Sequence, residues 1–322
     1  TRFHWQQSEE ACDWCDENGM LVQEEIPFWG PNPEFAGETQ WAVFRQQIQE
    51  MVRTKQNHPC LISWGVGNEL TAQHPDTIRY IRRAVGYTKK LDRSRLVNYV
   101  SNSYFGEPGK DGVQFGDMMM LNEYTGTWIP DYEAEEVLDR VCREVPHKPI
   151  VVSEFGLCEP AFAGGDARRA QVFTEKMEIY RRFPAIAGTI YFCLNDYRTQ
   201  IGEEGEGAEK RRVHGSTDLK GQTKDSYWKV REECAPCSVV MEDGACMIRC
   251  RDDLPCYAME DYRVKLEGTD ETQDRIIHML VPGDTLRLEM PGLKRVTISN
   301  ARGWEIGTWS ESLRAQGVLE RP

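Results

Sequence analysis

The feature that most constrains this chain is an alternation that runs from its start to about residue 230. Short apolar runs take turns with longer amphipathic stretches. The runs are LVQEEIP (21–27), LISWGVG (61–67), RLVNYVS (95–101), MMMLNEY (118–124), PIVVSEFG (149–156) and AIAGTIYFCLND (185–196). They are often β-branched and do not alternate strictly, as expected of strands buried on both faces. Between them, residues 41–56, 75–91, 132–145 and 166–183 carry apolar positions at helical spacing. Strand and helix in turn predict a parallel α/β sheet with right-handed crossovers.

Polar residues collect where these strands end. Glu24 and Glu25 close the first, Asn68 and Glu69 follow the second, and Asn122 and Tyr124 close the fourth. Glu154 closes the fifth, and Asn195 and Asp196 the last. A (β/α)8 TIM-type barrel places its chemistry on that rim. A doubly wound sheet would call for a Gly-rich phosphate turn after its first strand, and none is present. The barrel is therefore expected. Six strands are visible where a closed barrel needs eight, and TRFHW reads as the tail of a further strand before the helical SEEACDWCDENGM. The reading is a barrel lacking its first two strands in this chain.

Residues 200–212 (QIGEEGEGAEKRR) read as a loop and DSYWKVREEC (225–234) as a last helix. After Pro236 the pattern changes to short strands separated by Asp-Gly and Pro-Gly turn signals. This predicts a small antiparallel, Ig-like β-sandwich over 236–322, with the barrel over 1–235.

With 39 Lys and Arg against 52 Asp and Glu, the formal net charge is −13. Nonspecific nucleic-acid binding and anionic membrane surfaces are thereby disfavoured. No run approaches 18 uncharged apolar residues, so no membrane span is expected. Eleven cysteines, several inside apolar runs, point to reduced thiols and a cytoplasmic location. Cys12/Cys15 and Cys234/Cys237 form two C-x-x-C pairs. The second, with Cys246 and Cys250, would make an irregular zinc framework, and structural thiols are the preferred reading.

Two carboxylates carry the chemistry. Glu69 and Glu154 each follow a strongly apolar strand. Apolar walls raise a carboxyl pKa, which suits a general acid near neutral pH. Two acids facing one cleft suffice for glycoside hydrolysis, one protonating the leaving oxygen and the other attacking the anomeric carbon. Spacing alone explains each acid equally well as a strand-end residue capping the next helix.

HPCLISWGVGNEL (58–70) resembles the acid/base segment of glycoside hydrolase family 2, which holds β-galactosidases, β-glucuronidases and β-mannosidases. VVSEFG resembles that family's nucleophile segment, ENGMLVQEEIPFWG (17–30) its third-strand segment, and GSTDLKGQTKDSYWKVRE (215–232) its post-barrel segment. The four occur in the family's order. The resemblance implies a retaining β-glycosidase acting on terminal β-linked sugars by double displacement, β-galactosidase- or β-glucuronidase-like. Its implied roles are Glu69 as acid/base and Glu154 as nucleophile. Asn68 would meet the sugar 2-hydroxyl, Tyr124 would donate to the nucleophile, and Trp128 and Phe192 would be sugar platforms. His4, with Arg2, would lie near the site. Tyr124 also reads as a core aromatic, and His4 as a structural histidine. Phe192 and Gln23 stand where the family more often has Trp. The Asn-x-Lys of members that read glucuronic acid is absent before Gly215, although Lys210, Arg211 and Arg212 could meet a carboxylate. The jelly-roll and immunoglobulin-like domains that precede the family's barrel are not in this sequence. The resemblance implies no cofactor, a carbohydrate substrate, and room for a homo-oligomer. The competing reading is an inactive fragment or a carbohydrate-binding scaffold that keeps the cleft.

Overall fold

The computed structural model describes residues 1–30, 37–159, 161–200, 204 and 210–310. Its elements run β1 (Arg2–Phe3), α1 (Glu9–Asn18), β2 (Val22–Glu25), α2 (Glu38–Lys55), β3 (Leu61–Asn68), α3 (Pro75–Leu91) and β4 (Leu96–Ser101). Next come β5 (Met119–Asn122), α4 (Ala134–Glu144), β6 (Ile150–Glu154), α5 (Gly165–Tyr180) and β7 (Ile186–Thr189). The remainder is β8 (Tyr197–Arg198), β9 (Arg211–Arg212), α6 (Asp225–Glu233), β10 (Cys237–Glu242), β11 (Ala245–Cys250), β12 (Met259–Gly268), β13 (Thr272–Leu280), β14 (Thr285–Glu289), β15 (Leu293–Ser299) and β16 (Glu305–Ser310). The chain divides into two compact units, Thr1–Gly156 with Arg182–Cys193, and Leu157–Arg181 with Leu194–Pro322.

In the first unit, β1 to β7 form one parallel sheet in sequence order. This is a partial TIM barrel, with β1 the end of the strand anticipated in TRFHW. Local chemistry sets the helix limits. Ser8 caps α1, its hydroxyl accepting from the Ala11 N–H at 3.3 Å, and Gly19 ends it in the left-handed region at φ 73°. Pro75 opens α3, where a missing N–H costs nothing. Trp41, Phe44, Ile48, Met51 and Val52 make the buried stripe of α2. The last apolar run is shorter than read. Regular pairing in β7 ends at Thr189, although Ile190 and Phe192 still donate to the carbonyls of Val152 and Phe155.

Not all of the barrel interior is apolar. β2 reads VQEE, yet all four residues are buried. Gln23 Oε1 accepts from the Ser63 hydroxyl at 2.8 Å and from Asn98 Nδ2 at 3.3 Å, and Asn98 Nδ2 also reaches Ser63 Oγ at 2.7 Å. A polar layer thus fills the place where the family more often puts Trp.

In the second unit, Asp166 near the start of α5 accepts from the Ser226 N–H and hydroxyl at 2.7 and 2.6 Å, fixing the start of α6. The buried Arg169 holds Asp166 and Glu159, each at 2.6 Å. The loop read over 200–212 lies partly outside the described residues. Within it, β9 pairs antiparallel with β8, because Arg211 and Arg212 meet Arg198 and Tyr197 in register. After α6 the elements are all β. One sheet is ordered β10-β11-β14 and another β13-β12-β15-β16. Alternate residues of β10 and β11 (Cys237, Val239, Met241; Cys246, Ile248, Cys250) share a core with Tyr262, Val264, Leu266, Val296, Ile298 and Trp309. Strand β16 forms over a segment, EIGTWS, that carries little apolar alternation.

Candidate active site

The site grows from the carboxyl ends of β1, β3, β5 and β6. At the end of β3 the backbone turns sharply. Gly67 sits at φ 152°, where an added Cβ would come within 3.2 Å of the Phe28 carbonyl. Glu69 follows at φ 52°, a conformation unusual for a residue with a side chain. Two bonds hold this turn, Asn68 N–H to Phe28 O and Glu69 N–H to Val100 O, both 3.0 Å. The strained backbone presents consecutive side chains, Asn68 and Glu69, to the same place.

Asn122, at the end of β5, ties them together. Its Nδ2 donates to Glu69 Oε1 at 2.7 Å and to Asn68 Oδ1 at 3.2 Å, while its own Oδ1 accepts from the Ser153 hydroxyl at 2.9 Å. Trp29 Nε1 donates to the other Glu69 oxygen at 3.2 Å. From β1, the buried Arg2 guanidinium donates to Asn68 Oδ1 at 2.9 Å and closely to Glu154 Oε1. Tyr124 OH donates to Glu154 Oε2 at 3.0 Å. His4 Nε2 lies 3.4 Å from Glu154 Oε1, its Nδ1 lies 3.5 Å from Glu25 Oε1, and its ring meets that of Phe192 edge-on at 6.5 Å.

One chain of contacts therefore runs from Glu69 through Asn122 and Asn68 to Arg2 and Glu154. Burial pushes the Glu154 carboxyl up; Arg2 opposes this, Glu69 adds to it, and His4 and the Tyr124 hydrogen bond pull back. Burial, then the Glu154 charge, holds the Tyr124 phenol well above its usual value, so it stays a hydrogen donor. Two glycines make the geometry possible. A Cβ on Gly65 would strike the Glu25 side chain at 2.6 Å, and one on Gly156 would lie 2.4 Å from the Phe192 carbonyl. The Gly of E-F-G is thus needed for the close approach of residues 155–156 and 191–192.

Residues 2–183 match the model of the glycosyl hydrolases family 2, TIM barrel domain. The chain belongs to glycosyl hydrolase family 2. It is 27% identical to the Homo sapiens beta-glucuronidase over 256 residues, covering 71% of this chain and 38% of that one. Over 72% of its length the chain is similar in fold to an uncultured Clostridium sp. beta-glucuronidase, of which it covers 43% (TM-score 0.63, 22% identity). A GH2 beta-galacturonidase from Eisenbergiella tayi bound to galacturonate is similar in the same way (TM-score 0.61, 23% identity, 72% and 44%). The chain spans about two-fifths of the length of these relatives.

Of the residues singled out in the sequence, Asn68, Glu69, Tyr124, Glu154, His4 and Phe192 are brought together in this cluster. Trp128 stands in the hydrogen-bonded turn after Tyr124, where Thr127 and Ile129 donate to the Tyr124 carbonyl, and its ring is about half exposed. Asn122, Trp29 and Glu25 were not assigned roles from sequence. The signal was available for Asn122 and Glu25 as strand-end polar residues, and for Trp29 as the residue closing IPFWG. Arg211 of the basic run pairs with Glu204 at 2.8 Å. The zinc framework does not assemble. Cys237, Cys246 and Cys250 are buried in the sandwich core and do not converge on a common point with Cys234. Among the described residues, only Asp16, His58 and Cys60 bring three candidate metal-binding atoms together. No helix there is long and apolar enough to cross a membrane.

Proposed function

We propose that this chain carries the catalytic centre of a retaining β-glycosidase that releases terminal β-linked sugars, with β-glucuronides the first class to try. The carrying observation is the contact chain Glu69–Asn122–Asn68–Arg2–Glu154, which links two acids from different strands inside one buried polar cluster. Named relatives support the substrate class, since they are beta-glucuronidases and a beta-galacturonidase.

In this reading a Glu154 oxygen attacks the anomeric carbon while Glu69 protonates the departing glycosidic oxygen. The aglycone leaves and a covalent glycosyl–Glu154 ester remains. Glu69, now ionised, takes a proton from water, which attacks the same carbon and frees Glu154. Double displacement asks for carboxyl groups about 5–5.5 Å apart. Arg2 and Tyr124 favour the ionised form of Glu154 that the attack requires. Asn68 would hold the sugar 2-hydroxyl, and His4, Trp128 and Phe192 would border the ring. We also keep the domain limits of 1–235 and 236–322 as a proposal, and the free cysteines support a reducing compartment.

The test is a panel of nitrophenyl β-glycosides against this chain, with a 2-fluoro-β-glycosyl fluoride of the best sugar as a trap. Nitrophenol release, with a glycosyl adduct mapped to Glu154, supports the reading. Sugar binding with no release and no adduct supports a carbohydrate-binding scaffold instead.

A further inference from the structure

Away from the glycosidase site, strands β10 and β11 bring two cysteines face to face. They form a hairpin closed by Asp243-Gly244, with Gly244 at φ 67° in the left-handed region that glycine favours. Its register places Cys237 directly opposite Cys250. Directly opposed residues in an antiparallel ladder are either hydrogen-bonded or non-hydrogen-bonded pairs, and the two types differ in reach. The backbone decides which this is. Cys250 N–H donates to the Asp284 carbonyl at 3.0 Å, and its carbonyl accepts from the Gly283 N–H at 3.1 Å. Both polar groups of Cys250 thus point toward the β14 side, away from β10. The bond between β10 and β11 is made one step along, Arg251 N–H to Pro236 O at 2.9 Å.

Cys237 and Cys250 are therefore a non-hydrogen-bonded pair, the closer type, with Cα atoms about 4.5 Å apart. Disulfides span Cα separations of about 4.4–6.8 Å, so backbone distance is no obstacle. Both side chains belong to the same buried core, and both are free thiols. Cys250 Sγ donates to the Tyr257 carbonyl at 3.4 Å. Burial first, and then the facing Cys250, push the Cys237 thiol up. The other cysteines nearby differ. Cys246 is buried opposite Met241, and Cys234 and Cys256 are exposed.

We propose that Cys237 and Cys250 are a reversible oxidation site, closing as a cross-strand disulfide when a small-molecule disulfide is the oxidant. In the exchange, the S–S bond of that oxidant breaks and the Cys237–Cys250 bond forms. Two small thiols leave, carrying the two protons. The disulfide would clamp the hairpin that opens the sandwich, and a reducing compartment would hold it open.

The experiment treats the full chain with oxidised glutathione at mildly alkaline pH, in a urea series kept below the unfolding transition, because both thiols are buried and exchange needs local opening of the hairpin. Free thiols are then alkylated under denaturing conditions and peptides are mapped with and without dithiothreitol. The expected result is a dithiothreitol-sensitive link between the Cys237 and Cys250 peptides. The link persists in the Cys234→Ser/Cys256→Ser double variant. It vanishes in Cys237→Ser, which leaves Cys250 open to alkylation. A link through Cys234 or Cys256, glutathione adducts alone, or full alkylation of Cys237 and Cys250 would overturn the proposal. The wild-type map decides the matter even where a serine variant does not fold.

Discussion

Two clusters of charged side chains sit at opposite ends of the same barrel strands, and they differ in how completely each is satisfied. Before β3, His58 Nδ1 meets Asp16 Oδ2 at 2.7 Å and its Nε2 meets Glu9 Oε2 at 2.9 Å. Asp16 Oδ1 accepts from the Cys60 N–H at 2.7 Å, and Lys55 Nζ pairs with Glu9 at 2.9 Å. Each of these four side chains, His58, Asp16, Glu9 and Lys55, has a partner in normal backbone geometry. After β3, Glu69 sits in a strained conformation, and among the described residues the buried Glu25 carboxylate makes no hydrogen bond and faces Arg2 at 3.8 Å and His4 at 3.5 Å. A satisfied cluster holds a fold together, whereas an unsatisfied one keeps capacity for a ligand. In barrels, the carboxyl ends of strands carry chemistry and the amino ends carry stability.

The sharpest way to break this contrast is Glu154→Gln. It should lower turnover of a nitrophenyl glycoside by about 10⁴-fold, with the far-ultraviolet circular dichroism unchanged. Full activity in this variant would remove the upper cluster from the chemistry. Glu69→Ala should follow, with about a 10²–10⁴-fold loss that shrinks for dinitrophenyl aglycones, since good leaving groups need no acid. A loss independent of leaving group would deny Glu69 its acid role. Tyr124→Phe removes one hydrogen bond to the nucleophile and should cost about 10-fold in kcat with little change in KM.

The lower cluster should behave in the opposite way. His58→Ala is expected to destabilise the barrel by about 2 kcal/mol in urea unfolding, while kcat well below the melting temperature stays at its wild-type value. A loss of kcat without a loss of stability would erase the distinction between the two ends. The smallest effect is on pH. Burial alone would lower the His58 pKa, but its bonds to Glu9 and Asp16 outweigh this and raise it. A raised histidine contributes its stability in full below the unfolded value of 6.5 and loses it as pH rises through the folded value. Wild-type stability should therefore fall as pH climbs above 6.5, and His58→Ala should flatten that slope. Parallel slopes would show that His58 is not the titrating group.

The glycine and proline features divide along the same line. Pro75 opens one helix and Gly19 closes another by local rules. Gly65 and Gly156 are glycines because of residues 40 and 36 positions away, Glu25 and Phe192, that press against them. No local pattern announces such a contact.

By itself, the sequence determined the order and kind of the barrel elements, because apolar spacing is a local property of each segment and the hydrogen bonds of a helix or turn are made nearby. It also marked Glu69 and Glu154, because an acid at the end of an apolar strand stands out and NEL and SEFG are distinctive. Only the tertiary structure decided what surrounds those acids. Arg2 reaches Glu154 across 152 residues, and Asn122 reaches Glu69 across 53. Those meetings depend on the curl and register of a parallel sheet, which place strand ends side by side irrespective of their distance along the chain. The pairing of Cys237 with Cys250 is also a matter of register, here that of a local antiparallel hairpin. Their spacing names two thiols, and the hairpin register makes them neighbours.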